Sequence, residues 1–366
     1  MTDGLGSKGL GKVGLEQSAN AASRSAKPFR VTSFDVAEAA GVSQSTVSRA
    51  LAGDASISER TRLRVEDAAR KLNYQVNANA ARLRTGRTGT LAVVMICRPG
   101  QDSKDINPFY FSLLGSTCAA AAARGYETLV SFQDSPDNFW GLYQERRKAD
   151  GMVVIGTNEN MPAWDYFRTM RPRGIDWVCW GSPDDDFDWV RSDNDAGARL
   201  ATRYLIECGY REIVCLGQLG SAQRQFDERY AGYAAAMREA ACTPRHIAVE
   251  PDLPRKEQGR RAAAALADSG ADFDAVFAVC DEMALGAMSE FERRGLAVPD
   301  RVGVLGFDGI RAGSFASPPL STIEPDCEAA GSALVDRLLA LLAGEQADHP
   351  RVPVRLLLRG STRPRS

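Results

Sequence analysis

The chain has 366 residues, is 44% hydrophobic and 25% charged, and carries a formal net charge of -2, which is ordinary globular composition with room for roughly two or three domains. It has no apolar run of transmembrane length, so no membrane partner is expected. Its eight cysteines are scattered without C-x-x-C spacing, which argues for reduced thiols in a cytoplasmic protein and against a disulfide framework or a metal centre.

The charge is unevenly placed. Residues 1–90 hold 14 Lys and Arg against 8 Asp and Glu, whereas the rest of the chain holds 31 against 39. A basic first quarter on an acidic body suggests a polyanionic partner for that quarter alone. Residues 1–30 are rich in Gly, Ser, Ala and Lys and lack the apolar segment of a secretory leader, so they read as a disordered basic tail. Gly4-Leu-Gly6-Ser-Lys-Gly9 formally matches a dinucleotide fingerprint. The strand before it and the helix after it are missing, so no cofactor is expected.

Three short helical patterns follow over residues 31–76. Thr32 is a good N-cap with Asp35 three residues on, and Val36, Ala37 and Ala40 form an apolar stripe. Gly41 supplies a left-handed turn residue, Val42 plugs the turn, and Ser43 caps a second helix, 44–52. There Val47 and Leu51 face inward, which leaves Gln44, Ser45, Ser48 and Arg49 outward. Amides, hydroxyls and a guanidinium with no carboxylate suit base edges and phosphates. The third helix starts after Ser58 and runs to about Leu72, with Leu63, Val65, Leu72 and Tyr74 expected to close the small core. The pattern predicts a helix-turn-helix; an ordinary αα corner in a small bundle is the other reading.

From residue 90, short β-rich runs alternate with helical stretches. Strands are expected at 90–96, 127–132, 151–155, 177–180, 213–216, 275–278 and 302–306. Helices are expected at 110–124, 195–208, 229–241, 258–268, 281–294 and 327–343. This alternation predicts parallel sheets covered by helices on both faces. Its extent is too great for one core, so two lobes are expected. Ligands of such sheets bind beyond the C-terminal ends of the strands.

The stretch Val31-Thr-Ser-Phe-Asp-Val-Ala-Glu-Ala-Ala-Gly-Val-Ser-Gln-Ser-Thr-Val-Ser-Arg49, with Ile57-Ser-Glu-Arg-Thr-Arg62 and Leu72-Asn-Tyr74-Gln-Val-Asn77, resembles the opening of the lactose repressor (LacI/GalR) family. The likeness covers nearly everything after about residue 30. It implies an α/β protein with an all-α helix-turn-helix headpiece and a two-lobed effector domain like the periplasmic binding proteins, with parallel sheets. The expected division is headpiece 31–76, hinge helix and linker 77–89, and effector-binding and dimerisation domain 90–366. One lobe is expected over about 90–190 plus 324–350, the other over 191–323 plus 351–366.

By that resemblance Gln44 and Ser45 are the two main base readers in the major groove, surrounded by Ser43, Thr46, Ser48 and Arg49. Thr32, Ser56 and Thr61 match backbone-contact positions. Asn77 to Arg84 match the hinge helix, with Ala80 and Leu83 entering the minor groove, where an apolar wedge kinks the duplex; Leu83 as a plain linker residue is the alternative. Arg82, Arg84 and Arg87 add attraction for phosphates. The implied effector contacts are Phe109, Tyr110, Gln225, Arg229, Cys280 and Asp308, with Gln223 and Gln225 on a loop before Arg229. A structural ion pair at the lobe interface is the other reading of Arg229 and Asp308. Two departures blur the ligand class: Cys280 stands where relatives commonly have Asn, and 252–254 lack an aromatic ring that relatives place over the ligand.

The expected partners are therefore double-stranded, near-palindromic operator DNA, a small effector of the sugar class, and a second copy of the chain. No leucine heptad follows the core, which favours a dimer. Repression relieved by an inducer is expected. A stand-alone sugar receptor would leave residues 32–84 unexplained. An enzyme such as a sugar kinase finds no support, because there is no phosphate loop and the two histidines, His246 and His349, lie outside any nucleophile–base grouping.

Overall fold

The computed structural model describes residues 31–74, 87–100, 106–183, 186–251, 253–345 and 348–365. The expected tail and the hinge positions Asn77, Ala80, Leu83, Arg82 and Arg84 lie outside the described residues. The chain forms two compact units, residues 1–81 and 82–366.

The first unit packs three helices, α1 (Ser33–Ala40), α2 (Gln44–Leu51) and α3 (Glu59–Lys71). Thr32 starts α1, and its backbone N–H and hydroxyl both donate to Asp35 Oδ2 at 2.7 Å. Gly41 ends α1 at φ +63°, the left-handed conformation that costs an ordinary residue most. Ser43 then caps α2 by accepting from the Thr46 N–H at 3.2 Å. The core is Val36, Ala37, Ala40, Val47, Ala50, Val65, Ala68 and Ala69, with Val42, Leu51, Leu72 and Tyr74 half-buried around it. Leu63 departs from expectation: it is 59% exposed. The inner stripe of α3 runs through 65, 68, 69 and 72, and a residue two before Val65 lies about 200° round the helix from it.

In the second unit β1 (Thr90–Ile96) shows why a doubly covered sheet forms. Leu91, Val93 and Met95 enter one core while Ala92, Val94 and Ile96 enter the core on the other face. Around it run α4 (Pro108–Ala123), β2 (Glu127–Gln133), β3 (Gly151–Gly156), α5 (Met161–Arg168), β4 (Trp177–Trp180) and β5 (Trp189–Ser192). The chain then continues through α6 (Asn194–Glu207), β6 (Ile213–Leu216), α7 (Arg224–Glu239), β7 (Arg245–Ile247), α8 (Arg255–Asp268), β8 (Ala275–Ala278), α9 (Asp281–Arg293), β9 (Gly303–Phe307) and β10 (Ser321–Pro325). It closes with α10 (Cys327–Leu342), β11 (Arg351–Val352) and β12 (Val354–Leu357).

The first sheet has the order β11-β5-β4-β3-β1-β2 and the second β12-β10-β9-β8-β6-β7. Pairing is parallel except where β12 runs antiparallel to β10. α10 returns to the first lobe, where Leu334, Val335 and Leu338 share a core with Val93 and Val178. The chain thus passes between lobes three times, after β5, after β10 and between β11 and β12. Two boundaries differ from those expected. β5 belongs wholly to the first sheet, and Arg351 and Val352 pair with Arg191 and Ser192 there, so the final return to the second lobe begins at Val354. The two-residue strand is too short to leave a periodicity signal. α7 begins at Arg224, five residues before the expected start, so Gln225 lies in its first turn and not on a loop.

Candidate nucleic-acid interface and ligand cavity

In the first unit, α2 carries no acidic residue, and its one charged residue, Arg49, is exposed. Gln44 is half-buried, and its Nε2 donates to Ser33 Oγ at 3.2 Å. Ser45 is exposed, and its hydroxyl lies 2.9 Å from Ser43 Oγ, which also meets Thr46 Oγ1 at 2.8 Å. The side chains at the start of the helix are therefore held by neighbouring hydroxyls. Ser48 and Thr46 are half-buried behind them. Thr32 and Ser56 are exposed, the Ser56 N–H donating to Asp54 Oδ1 at 2.8 Å, and Thr61 Oγ1 lies 2.9 Å from Ser58 Oγ. Phe34, which sequence reasoning passed over, is 70% exposed on α1 beside Ser33. Its exposure was already implied by the inward stripe Val36, Ala37 and Ala40, which position 34 falls outside.

In the second unit a cavity of about 640 Å³ lies between the lobes. Phe109, Tyr110, Gln225, Arg229, Cys280 and Asp308 all line it. Arg229 projects from the second turn of α7 and is buried. Its Nε donates to Asn194 Oδ1 at 2.9 Å, and its Nη1 donates to the Val279 carbonyl at 2.6 Å and to Asp308 Oδ1 at 3.0 Å. The guanidinium also lies 3.6 Å over the Phe307 ring. Asp308 stands just past β9 at φ +115°, a conformation few residues with a Cβ adopt. Burial pushes its carboxyl above the ordinary Asp range, and Arg229 pulls it back. The two residues are thus an ion pair within the second lobe, and both line the cavity.

Behind Asp308, Asp281 is fully buried, accepting from Thr322 Oγ1 at 2.6 Å and the Ile310 N–H at 2.8 Å. Burial raises its carboxyl well above the usual range. Only glycine fits at 306, because a Cβ there would stand 2.2 Å from Asp281 Oδ1. Cys280 is buried, and burial raises its thiol.

The aromatic wall is wider than expected. Trp180, at the end of β4, lines the cavity with its ring 5.7 Å from that of Phe109, and Phe226 contributes from the other lobe. The ring absent from 252–254 thus has counterparts elsewhere in the lining, which spacing alone did not show. The polar lining holds two groups that sequence reasoning missed. Asn158 Oδ1 and Ser192 Oγ are buried without a hydrogen-bond partner among the described residues. Such buried atoms cost stability unless something bonds them.

The lobes meet at Glu228 of α7, which pairs with Arg191 and Arg351 of the first lobe, at Arg98, whose Nη1 donates to the Leu253 carbonyl at 3.3 Å, and at a run of three residues. Thr157 Oγ1 accepts from Gln223 Nε2 at 3.0 Å, Asn158 Nδ2 donates to Gln225 Oε1 at 3.4 Å, and Glu159 pairs with Arg255 of the second lobe and Arg98 of its own. No group of side chains among the described residues is arranged to hold a metal ion, and no described helix is long and apolar enough to cross a membrane.

A helix-turn-helix unit joined in one chain to a two-lobed ligand receptor defines a regulatory protein of the ligand-responsive, DNA-binding class. The family models agree with both parts: residues 34–77 match the bacterial regulatory proteins of the lacI family, and residues 202–362 match the periplasmic binding protein-like domain. The chain is 30% identical over 315 residues to the ribose operon repressor of Escherichia coli (strain K12), covering 84% of this chain and 92% of that repressor. It is 29% identical to the regulator CelR of Thermobifida fusca, covering 88% and 94%. A solved lac repressor dimer, bound to operator and the anti-inducer ONPF, is similar over 92% of this chain and all of its own, with a TM-score of 0.70 and 25% identity. The chain belongs to the LacI family of bacterial regulatory proteins.

Proposed function

We propose that this regulator is a cytoplasmic repressor without catalytic activity. It binds a near-palindromic operator as a homodimer and answers to a sugar held by Phe109, Tyr110, Gln225, Arg229, Cys280 and Asp308, joined by Trp180, Asn158 and Ser192. The observation that carries the sugar reading is the Arg229–Asp308 pair set against aromatic walls in an inter-lobe cavity. A guanidinium fork donates to adjacent hydroxyls, a carboxylate accepts from them, and rings cover the apolar face of a pyranose or furanose. The orphan atoms of Asn158 and Ser192 are further partners for hydroxyls. Relatives named for ribose repression and a relative solved with cellobiose point to the same ligand class.

Gln44 and Ser45 read base edges in this proposal. Ser43, Thr46, Ser48 and Arg49 support them, Thr32, Ser56 and Thr61 meet the backbone, and Asn77, Ala80 and Leu83 act at the minor groove. For the dimer, the face formed by Phe111 on α4 and Val130 and Phe132 on the edge strand β2 is exposed and apolar, and a second copy covering it removes both the apolar area and the free edge from water. Sugar binding changes the angle between lobes and so the spacing of the paired headpieces, which couples the two sites by typically about 1–3 kcal/mol.

The test is retardation of DNA from upstream of the protein's own gene, with and without a panel of pentoses, hexoses and disaccharides. Retardation released by one sugar is expected. A folded sample that retards no promoter DNA at low salt would overturn the reading, and retardation indifferent to every sugar would remove the sugar part of it.

A further inference from the structure

We infer that Ser33 is a positioning residue for base recognition, and that the base read by Gln44 in each half-site is adenine. This rests on the DNA-binding reading above. Ser33 is the first residue of α1 and Gln44 the first of α2, so the tight reversal at Gly41 brings the starts of two helices together. Ser33 Oγ accepts from Gln44 Nε2 at 3.2 Å. Gln44 is half-buried, so this bond has less competition from water than a fully exposed one.

A glutamine side chain has several torsions to freeze before it reads a base, and its amide can face either way. The bond to Ser33 holds the amide in place, since a hydroxyl can accept from Nε2, as here, or donate to Oε1 were the amide turned over. It uses one of the two Nε2 hydrogens and leaves the other hydrogen and Oε1, to which no described residue donates. An outward donor and an outward acceptor side by side match adenine, which offers N7 as acceptor and the N6 amino group as donor in the major groove. Guanine offers two acceptors there and cytosine a donor alone, so neither satisfies both halves of the amide. Ser43 does the equivalent for Ser45, 2.9 Å away, but that contact lies within one helix. The Ser33 contact joins two helices and therefore depends on the turn geometry.

The experiment uses the full-length protein and a fluorescently labelled operator with every base pair of the half-site varied in turn, read by anisotropy. The position read by Gln44 is the one whose preference disappears in Gln44→Ala. In the wild type, adenine is expected there, favoured about 10- to 100-fold over the other bases, the usual value of a bidentate contact. Ser33→Ala should cut that preference to within about threefold while non-specific affinity and the salt dependence stay as they were, because phosphate contacts carry those. Ser33→Thr, which keeps the hydroxyl, should restore it. Ser33→Ala added to Gln44→Ala should change nothing further at that position.

A wild-type preference for guanine or cytosine at that position overturns the adenine assignment. An undiminished preference in Ser33→Ala, or an equal loss at every position, overturns the positioning role. A wild type that binds no DNA strikes the regulator reading itself and is thereby told apart from these failures.

Discussion

The two units carry their chemistry in opposite ways. In the headpiece the candidate base readers and their nearest supports sit on one short helix and its cap, held by bonds such as Ser43 to Thr46 and Ser33 to Gln44. In the effector domain no single element holds the site. Phe109, Trp180, Arg229, Cys280 and Asp308 come from α4, β4, α7, the start of α9 and the end of β9, in both lobes. A site made by one helix is altered one contact at a time, and each change touches one base pair. A site made by convergence is coupled, so one removal disturbs its neighbours.

The largest effect should therefore fall on Arg229. Arg229→Ala removes the guanidinium bonded to the buried Asp308 and leaves it only the Asn107 bond and the more distant Arg255, and breaking a buried pair costs about 3–5 kcal/mol. Loss of effector response is expected, with a lower denaturation midpoint. The double change Arg229→Met with Asp308→Asn, asparagine being tolerated at the positive φ of 308, should recover stability and not response. If the double variant responds to the effector, the pair holds the fold and does not recognise ligand. The next effect in size belongs to the headpiece. Gln44→Ala should cost about 1–3 kcal/mol of discrimination at one base pair per half-site, with non-specific binding retained. A uniform loss across all positions would show instead that Gln44 supports α2.

This contrast also explains what was legible in the chain. The headpiece was readable almost residue by residue, since caps, a left-handed glycine and a 3.6-residue stripe are local signals. Leu63 failed because it was placed in the core on its apolar character, although two residues before Val65 it falls on the opposite side of the helix. In the effector domain most strands and helices were evident from alternation, but β5, β7, β10, β11 and β12 were not expected. Each carries a charged residue (Arg191, Arg245, Glu324, Arg351 and Arg355), whereas the equally short β4, β6 and β8 are free of charge and read as buried strands. Arg229 and Asp308 were found through the family resemblance, in stretches that follow predicted strands, and their pairing was left open because nothing local links residues 79 positions apart. Trp180 and Ser192 carried no signal, since an apolar strand end looks like core until the cavity beside it is seen.

Acidity should separate the two units. Burial holds the Asp308 carboxyl above its ordinary range, so as pH falls it protonates earlier than an exposed aspartate near 3.9. Protonation removes the acceptor for effector hydroxyls and the partner of Arg229. Effector affinity should therefore be full at neutral pH and decline on acidification, beginning above the usual aspartate range. DNA binding without effector carries no such dependence on Asp308. Titration calorimetry across pH checks the sign, and Asp308→Asn should bind weakly at every pH with the acid-side decline gone. An unaltered decline in that variant would assign it to another group, Asp281 being the nearest buried carboxyl.

The smallest effect expected is at Glu159, which tests whether the inter-lobe contacts bear on ligand affinity at all. Glu159 takes Arg255 from the opposite lobe and Arg98 from its own, with all three side chains partly exposed. Glu159→Gln keeps the shape and removes the charge, leaving the Thr157–Gln223 and Asn158–Gln225 bonds in place. Partly exposed pairs contribute about 1 kcal/mol at most. A ligand that favours the arrangement with the lobes joined gains affinity only to the extent that the arrangement is populated. The variant should therefore bind effector up to about fivefold more weakly at low salt, and the difference should shrink as added salt screens the wild-type pair. Equal affinities at low salt would mean that the pair is indifferent to ligand, and that the remaining inter-lobe contacts, the bonds of Thr157 and Asn158 and the Arg191–Glu228 pair among them, are enough to set how the lobes meet.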